Sequence, residues 1–350
     1  MKRVLITGSG GLIGSEAVEF YIKQNFHVVG IDNNMRQYFF GREGSTTTRV
    51  SQLKQFKNYK HYDFCITKID VDFFLKEGPF DLIIHTAAQP SHDWAVKEPS
   101  TDFNINANGT LNLLEHYRKY SPQAVFIFTS TNKVYGDSPN VLEYNELLTR
   151  YTPVNQTLAL NGFNESLSID QSTHSLFGVS KTAADLLVQE YGRYFKLSTV
   201  IFRGGCLTGP NHSGVELHGF LSYLVKCAKT KTPYKIFGYN GKQVRDNISS
   251  TDLISAFDCY YNKPKEPGSV YNIGGGSYSN CSVLEAIDTI ESILNTKLTI
   301  LFEPNARHGD HQWWITDTTK FKKDFPNWKQ QDNIQTILTK MCESKTTNIL

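Results

Sequence analysis

Short apolar runs alternate with amphipathic stretches along the first part of the chain. The runs read RVLITG, HVVGID, FDLIIHTAA, AVFIFTS and LSTVIFRGG, and each has the length of a buried strand. Helical patterns lie between them, near residues 12–24, 101–119 and 175–195. Strands that alternate with helices are typical of parallel βαβ units. We therefore predict an α/β fold with a doubly wound parallel sheet.

The pattern changes after about residue 204. Short strands such as YKIFGY then mix with helical stretches near 251–262, 281–294 and 331–343. We expect a sheet domain at 1–203, completed by segments near 235–275, and a smaller, partly interleaved domain formed mainly by 204–350. The polar segment 138–173 reads as a long irregular loop, and such loops are often functional.

Composition excludes several classes of protein. The chain has 350 residues, with 36 Lys and Arg against 34 Asp and Glu, which gives a net charge of +2. This balance argues against a nucleic-acid or polybasic membrane surface. The six cysteines are scattered without a CxxC or Cys/His cluster, so we predict neither a metal site nor a disulfide framework. The N-terminus enters a strand directly and no long apolar run follows, which predicts a cytoplasmic protein.

The first strand leads into a glycine-rich turn. In VLITGSGGLIGSEAVEF, Gly8 permits the tight turn, Gly11 lets the backbone approach a pyrophosphate, and Gly14 allows helix–sheet packing. The helix that opens at Leu12 and Ile13 then points its N-terminus at the phosphates. This arrangement predicts a dinucleotide site in a Rossmann sheet.

The second strand ends at an acidic residue that bears on the choice of dinucleotide. Asp32, followed by Asn33, can accept hydrogen bonds from ribose hydroxyls and would repel a 2′-phosphate. We therefore predict NAD as the cofactor, although the nearby Arg36 leaves NADP open.

Three further positions are candidates for cofactor contact. Asp63 follows a possible third strand and could contact the adenine, or it is a solvated loop acid. Small residues around Ala87 would let the cofactor lie across a strand end. Asn106 either holds a backbone turn beside the cofactor or marks a helix start.

The glycine turn, TSTNKVYGD (129–137) and SLFGVSK (175–181) together resemble the extended short-chain dehydrogenase/reductase family, which contains nucleotide-sugar epimerases and dehydratases. The resemblance implies a Rossmann domain with tightly held NAD, a smaller sugar-nucleotide domain and commonly a homodimer. The stretches IDNNMRQYFFG and NGFNES are most similar to the CDP-paratose 2-epimerase subgroup, which implies inversion at C2 of a CDP-linked deoxyhexose.

Two arginine motifs extend the resemblance. GKQVRD (241–246) and RHGD (307–310) look like the motifs that bind the nucleotide diphosphate in this family. Arg245 and Arg307 can each present paired N–H donors to a phosphate. We further assign Thr129 to the cofactor, and Gln89 and Cys206 to the substrate.

Residues that follow the AVFIFTS strand match positions that take part in the family's reaction. Thr131 matches the hydroxyl that orients the reacting oxygen. Asn132 and Lys133 stand where 4,6-dehydratases of the family carry an acidic pair, so dehydration is disfavoured. Asn132 could instead hydrogen-bond a sugar hydroxyl or the keto oxygen.

The helix motif keeps the family lysine but not its tyrosine. Lys181 would bind the nicotinamide ribose, whereas Phe177 stands at the position of the proton-transferring phenol. Either the base lies elsewhere, or the residue is an engineered substitution, or the protein binds its ligands without turnover. The candidates for a displaced base are Lys133, Lys181, Tyr135, Cys206 and His174.

These observations predict an NAD-dependent nucleotide-sugar epimerase that recycles its cofactor, most similar to enzymes acting at C2 of a CDP-sugar. One alternative is a 4-epimerase of a UDP- or GDP-sugar. The other is a non-catalytic protein that binds NAD and a sugar nucleotide.

Overall fold

The computed structural model describes residues 1–307 and 309–344. The strands of the first part of the chain are β1 (Arg3–Thr7), β2 (His27–Ile31), β3 (Tyr59–Tyr62), β4 (Leu82–His85), β5 (Val125–Thr131), β6 (Tyr144–Glu146), β7 (Tyr151–Pro153) and β8 (Thr199–Gly204). Those that follow are β9 (Cys206–Thr208), β10 (Tyr234–Phe237), β11 (Val244–Ser249), β12 (Ser269–Ile273), β13 (Asn280–Ser282), β14 (Ile300–Glu303) and β15 (Trp313–Trp314).

Helices account for most of the remaining regular structure. Those up to residue 161 are α1 (Leu12–Lys23), α2 (Met35–Phe40), α3 (Thr47–Leu53), α4 (Val71–Glu77), α5 (His92–Lys97), α6 (Pro99–Phe103), α7 (Gly109–Tyr120) and α8 (Gln156–Asn161). Those beyond it are α9 (Leu176–Phe195), α10 (Phe220–Thr230), α11 (Ser250–Asn262), α12 (Val283–Leu294), α13 (Thr319–Asp324) and α14 (Ile334–Glu343).

A seven-stranded sheet in the order β12-β8-β5-β4-β1-β2-β3 forms the main layer. Strand β1 pairs in parallel with β2 and with β4, so Thr7 lies beside both Ile31 and His85. Strand β4 pairs in parallel with β5. The prediction of a doubly wound parallel sheet is confirmed. The carboxyl ends of these strands lie at one edge, where open α/β sheets bind their ligands.

The apolar runs form strands because both of their faces are buried. All four residues of β4 and the last four of β1 are buried, which leaves no polar alternation in these strands. The core on one side of the sheet combines strand and helix residues, among them Leu5, Val29, Ile83, Leu113, Phe126, Val188 and Ile201.

The chain divides into two compact units, each made of several segments. The first unit comprises Met1–Val134, Leu176–Arg203 and Ile254–Tyr271, and it contains most of the large sheet. The second comprises Tyr135–Ser175, Gly204–Leu253 and the described residues from 272 onward.

Within the second unit, β9, β11, β13 and β15 form one small sheet, and β10 pairs with β14. Helices α10, α12 and α14 share an apolar core that includes Leu224, Ile287 and Leu338. The segment 138–173 is more ordered than its sequence suggested, because it contains the antiparallel β6–β7 hairpin and α8. Its strands have only three residues each, too few for a visible alternation.

Among the described helices, none is both long and apolar enough to span a bilayer. Likewise, residues 1–307 and 309–344 contain no cluster of three or more His, Cys, Asp or Glu side chains placed to hold a metal ion.

Candidate active site

The glycine turn between β1 and α1 closes tightly on itself. Gly8 has a φ of +71°, and its N–H donates to the Ile31 carbonyl at 2.7 Å. A Cβ added at Gly14 would lie 2.1 Å from the Gly8 carbonyl oxygen, so only glycine fits there. Gly11 is the N-cap of α1 and has no side chain to cap the first turn, where Leu12 and Ile13 lie. The N–H groups of this turn suit a pyrophosphate.

The Asp32 carboxylate is fixed at the end of β2. One oxygen accepts from the Gly10 N–H at 2.9 Å, and the other accepts from the Thr46 hydroxyl at 3.0 Å. Asp32 is therefore held beside the glycine turn, with Asn33 next along the chain. The Arg36 Nε donates to the Gly44 carbonyl at 3.3 Å and its guanidinium lies over the Phe40 ring. These contacts hold the Arg36 side chain against the segment 40–44.

The chain that leaves β4 is anchored by a buried amide network. Gln89 Nε2 donates to the Ser91 carbonyl and to Asp102 Oδ1, both at 2.8 Å. The Gln89 N–H donates to Asn106 Oδ1 at 2.9 Å, and Asn106 Nδ2 donates to the Gln89 carbonyl at 3.1 Å. Asn106 therefore holds the backbone turn at Gln89. The Gln89 amide is engaged within this network, and its predicted role in substrate binding stays a prediction.

The helix that carries Asn106 widens at this residue. A π-helical segment at Asn104–Asn108 joins α6 to α7, so Asn106 lies inside a continuous helix and does not begin one. Its Nδ2 also lies 3.1 Å from Asp102 Oδ1 and 3.0 Å from Ser180 Oγ. Such π segments occur frequently at functional sites, and here the widened turn points the amide at three partners.

Other predicted cofactor contacts lie at the carboxyl edge of the same sheet. Asp63 is exposed directly after β3, and the Ala87 N–H donates to Thr7 Oγ1 at 3.3 Å. Thr129 Oγ1 is buried without a hydrogen-bond partner in the described residues. A hydroxyl buried in this way fits a cofactor contact. The residues of this unit therefore fit a dinucleotide, while the individual contacts stay predictions.

The end of β5 carries the predicted reacting hydroxyl. Thr131 Oγ1 accepts from the Lys133 N–H at 3.2 Å and lies 3.4 Å from Asn132 Oδ1. The hydroxyl thus shapes the turn after the strand while staying half-buried. The Asn132 side chain is buried beside it.

Helix α9 brings charge into the interior next to β5. Lys181 is only 4% exposed, and its Nζ donates to the Thr129 carbonyl at 3.0 Å. One turn along, Asp185 accepts from Arg203 Nε at 3.0 Å and from the Ser130 hydroxyl at 2.6 Å. Asp185 is therefore paired with Arg203, and the negative charges of Asp185 and, to a smaller extent, Asp102 favour the charged form of Lys181.

Burial shifts the pKa values of both Lys181 and Asp102. It lowers the pKa of Lys181 to about 8, against the opposing fields of Asp185 and Asp102. It raises the pKa of Asp102 to about 6, against hydrogen bonds from Ser180 and Gln89. Strongly shifted pKa values of this kind cluster at functional sites, which makes Lys181 and Asp102 site candidates.

Phe177 lies one turn before Lys181 and is 7% exposed. Its ring makes an edge-on contact with the His92 imidazole, with ring centroids 4.9 Å apart. The position of the family tyrosine is thus occupied by a buried benzyl group with a histidine against it.

The second unit gathers both predicted arginines around one turn. Arg245 on β11 is buried and forms an ion pair with Asp310. Arg307 Nη2 donates to the Leu217 carbonyl at 2.7 Å, and the Arg307 carbonyl accepts from the Asp310 N–H at 3.1 Å. His308, the second residue of RHGD, lies outside the described residues. Arg307 thus belongs to the turn whose Asp310 pairs with Arg245, whereas phosphate binding stays a prediction.

Several candidates for a displaced base are engaged in structural contacts of the second unit. The Tyr135 hydroxyl donates to Asn272 Oδ1 at 2.8 Å, and its ring stacks on Trp314. Tyr135 is fully buried, so it belongs to the core. The His174 Nδ1 lies 3.0 Å from the Ser172 carbonyl oxygen. Cys206 is half-buried on β9.

Sequence reasoning missed three residues of the site in the first unit. Asp185 follows Lys181 by four positions and Asp102 precedes Asn106 by four, so helical spacing could have indicated both. No signal in the sequence links His92 to Phe177.

Comparison with known proteins agrees with this architecture. Residues 4–274 match the NAD dependent epimerase/dehydratase family. A CDP-paratose 2-epimerase from Salmonella typhi is 34% identical over 344 residues, which cover 95% of this chain and 97% of that protein. A dTDP-glucose 4,6-dehydratase from Escherichia coli is 27% identical over 97% of this chain and 92% of its own length.

Solved structures share the fold at lower identity. A UDP-glucose 4-epimerase from Bifidobacterium longum, in complex with NAD+ and UDP, superposes with a TM-score of 0.78 at 22% identity, over 99% of each chain. A UDP-glucuronic acid 4-epimerase from Bacillus cereus, in complex with NAD and UDP-glucuronic acid, gives 0.76 at 23% identity, over 97% of this chain and 98% of that one.

The glycine turn, the fixed carboxylate at the end of β2 and the matched family agree on the cofactor, which is NAD. The prediction of NAD is confirmed, and the chain belongs to the NAD dependent epimerase/dehydratase family of nucleotide-sugar enzymes.

Proposed function

We propose that this protein is an NAD-dependent epimerase that inverts C2 of a CDP-linked deoxyhexose. The similarity to CDP-paratose 2-epimerase over nearly the whole chain supports this substrate class. Within the first unit, residues at the carboxyl edge of the sheet would hold the dinucleotide. The second unit would bind the nucleotide sugar.

The observation that carries the choice of epimerisation over dehydration is the pair after Thr131. Loss of water needs an acid and a base beside the sugar, and the chain offers Asn132 and Lys133 there. An amide does not exchange a proton near neutral pH. Asn132 can orient a hydroxyl or keto oxygen by hydrogen bonding, which is what epimerisation needs.

The chain's own residues would divide the work as follows. Bound NAD supplies the hydride acceptor and donor. The Thr131 hydroxyl orients the reacting oxygen, and Asn132 holds its neighbour on the sugar. Lys181, held by the Thr129 carbonyl at 3.0 Å, supplies a positive field beside the cofactor ribose.

The diphosphate of the substrate would be held in the second unit. Arg245 and Arg307 carry planar donor groups that match phosphate oxygens. The ion pair with Asp310 would hold the Arg245 guanidinium in place before any ligand arrives. A preset arginine loses less conformational entropy on binding phosphate.

One observation favours a second candidate function. The Phe177 ring cannot exchange a proton, so a protein that relied on that position would bind NAD and a sugar nucleotide without turnover. A non-catalytic binding protein is therefore the rival account. A 4-epimerase acting on a UDP- or GDP-sugar is the rival within the enzymes.

The test separates the three accounts. The purified protein is loaded with NAD and mixed with CDP-paratose, CDP-tyvelose or UDP-glucose, while absorbance at the reduced-nicotinamide band is recorded. With the CDP-sugars we expect a transient rise in this absorbance. NMR should then detect their C2 epimers in the product. A rise with UDP-glucose alone would favour the 4-epimerase, and no rise with any sugar would favour the binding protein.

We also propose that the protein forms a homodimer through α7 and α9. Leu176, Val179 and Leu186 are exposed on one face of α9, and Phe103 and Leu111 are exposed on the adjacent helices. Contiguous apolar side chains of this kind mark association sites in soluble proteins. A twofold dimer would bury the same face of both copies.

A further inference from the structure

The first unit places a titratable ring against the residue that replaces the family phenol. We propose that His92 is the catalytic acid–base group that exchanges the proton of the reacting sugar hydroxyl. This inference rests on the proposed epimerase function and identifies the group that Phe177 cannot supply.

The contact between the two rings is direct. The centroids of His92 and Phe177 lie 4.9 Å apart with an interplanar angle of 65°, which is an edge-to-face arrangement. Phe177 is buried, whereas the His92 side chain is half-buried. A proton-exchanging ring thus stands one side chain away from where the phenol would be.

The backbone brings His92 to the edge of the sheet where the cofactor residues lie. It is the first residue of α5, and the chain reaches it from the carboxyl end of β4. Strand β4 is paired on one side with β1, which leads to the glycine turn, and on the other with β5, which ends at Thr131. Parallel strands that neighbour one another place their following turns close together.

The turn before His92 is held rigidly. Ser91 donates its N–H to Gln89 Oε1, and its side chain accepts from the Trp94 N–H at 3.3 Å to cap α5. The Gln89 amide is in turn anchored to Asp102 Oδ1 at 2.8 Å. Because Gln89, Ser91 and Asp102 are buried and hydrogen-bonded to one another, the start of α5 is held in one position. Gln89 and Asp102 act as positioning residues for His92.

The proton balance of the step is complete. As a hydride leaves the sugar carbon for NAD, the hydroxyl O–H bond breaks and its proton moves to the unprotonated nitrogen of a neutral imidazole. The C–O bond becomes a carbonyl and the imidazole becomes an imidazolium. When hydride returns to the opposite face, the imidazolium gives its proton back to that oxygen. Imidazole suits this exchange because its ordinary pKa lies near neutrality.

Lys181 is less suited to the same step. Its Nζ donates to the Thr129 carbonyl and lies 4.3 Å from the centre of the Phe128 ring, so it is held against β5 as a cation. A lysine ammonium carries no lone pair, and losing a proton there would remove the positive charge that faces the buried Asp185 and Asp102 carboxylates. Lys181 therefore orients and polarises, and the histidine exchanges the proton.

The experiment uses His92→Ala, its rescue by added imidazole, and the double variant His92→Ala/Phe177→Tyr. The probes are NAD-loaded protein with CDP-paratose and CDP-tyvelose. We expect the rate of cofactor reduction in His92→Ala to fall by about 10²–10⁴-fold, and both imidazole and the restored phenol to raise it at least about tenfold. His116→Gln is the matched control, because its Nδ1 lies 2.8 Å from the Asn112 carbonyl of its own helix. This control should keep the wild-type rate.

A second readout does not depend on turnover. The His92 imidazole C2–H resonance is assigned as the one that is missing from the spectrum of His92→Ala. It should shift when CDP-paratose is added to the wild-type protein, whereas the His116 resonance should not. The inference is overturned if His92→Ala keeps a third or more of the wild-type rate, if neither imidazole nor tyrosine restores the lost rate, or if the resonance does not move. Failure of the wild-type protein to reduce NAD with either sugar would instead reject the proposed function, and this inference with it.

Discussion

Asp102 is a buried acid whose ionisation should be visible in the stability of the protein. Burial raises the pKa of its carboxyl from 3.8 to about 6. Between these values the folded protein holds a proton that the unfolded chain has released. The contribution of this group to the free energy of unfolding is thus fully present below pH 3.8 and is lost as the pH rises through about 6.

We therefore predict that Asp102→Asn makes the free energy of unfolding less dependent on pH in the mildly acidic range. Between about pH 4.5 and 6.5 the wild-type protein should lose roughly 1–2 kcal/mol more of its free energy of unfolding than the variant. Urea unfolding at both pH values measures the difference. Asp72→Asn on the exposed surface of α4 is the control and should follow the wild type. Parallel curves for wild type and Asp102→Asn would contradict the assignment.

Replacing Lys181 should weaken the binding of NAD more than it disturbs the packing of the protein. Methionine has a side chain of similar length but lacks the ammonium group that donates to the Thr129 carbonyl. We expect Lys181→Met to hold less NAD after purification and to reduce it at least about 100-fold more slowly. Lys23→Met, at the exposed end of α1, is the matched control. Wild-type NAD content and rate in Lys181→Met would show that the amine is only structural.

For individual residues, the sequence predicts those that lie in motifs but not those that only folding brings together. Gly8, Gly14 and Asp32 are readable because their spacing follows from one strand–turn–helix unit. The pairing of Asp185 with Arg203 joins a helix to the following strand through a buried contact that no local pattern indicates. The His92–Phe177 contact depends on two helices packing, which periodicity cannot show.

The element that most directly couples fold to function is the turn from β1 into α1. The helix starts so close to the strand that a Cβ at position 14 would meet the Gly8 carbonyl oxygen at 2.1 Å. We predict that Gly14→Ala displaces the turn and abolishes retention of NAD. The bound nucleotide released by acid, measured by absorbance, reports the loss.

Two controls define that result. Lys23→Ala on the same helix should keep its NAD, because the residue is exposed. A cooperative melting curve establishes that Gly14→Ala is folded. Full NAD content in a folded Gly14→Ala protein would contradict the role given to this turn.

The long helix α9 and most buried strands of the large sheet were predictable from the hydrophobic pattern, whereas the three-residue strands were not. Helices α9 and α12 and the strands of the large sheet follow the predicted patterns. The β6–β7 hairpin escaped because each strand has three residues, and its connection is held through its own Arg150, whose Nε donates to Glu285 on α12 at 2.7 Å. Long-range charge contacts of this kind leave no period in the sequence.

The whole molecule is an NAD-dependent member of its family with apolar side chains exposed on α9. We predict that Val179→Glu prevents the proposed dimer, because a charge cannot be buried there without a partner. Light scattering after size exclusion should give twice the chain mass of 39.7 kDa for wild type and the single mass for the variant. Lys196→Glu, an exposed change just after α9, is the control and should leave the mass unchanged. A monomeric wild type would reject the dimer.

The central claim is that a chain without the family tyrosine still epimerises a CDP-sugar. The most direct measurement is single-turnover absorbance of the NAD-loaded protein mixed with CDP-paratose, followed by NMR of the sugar. The account predicts a transient reduced-nicotinamide signal and CDP-tyvelose in the product. Absence of both, from protein shown to retain NAD, would contradict it.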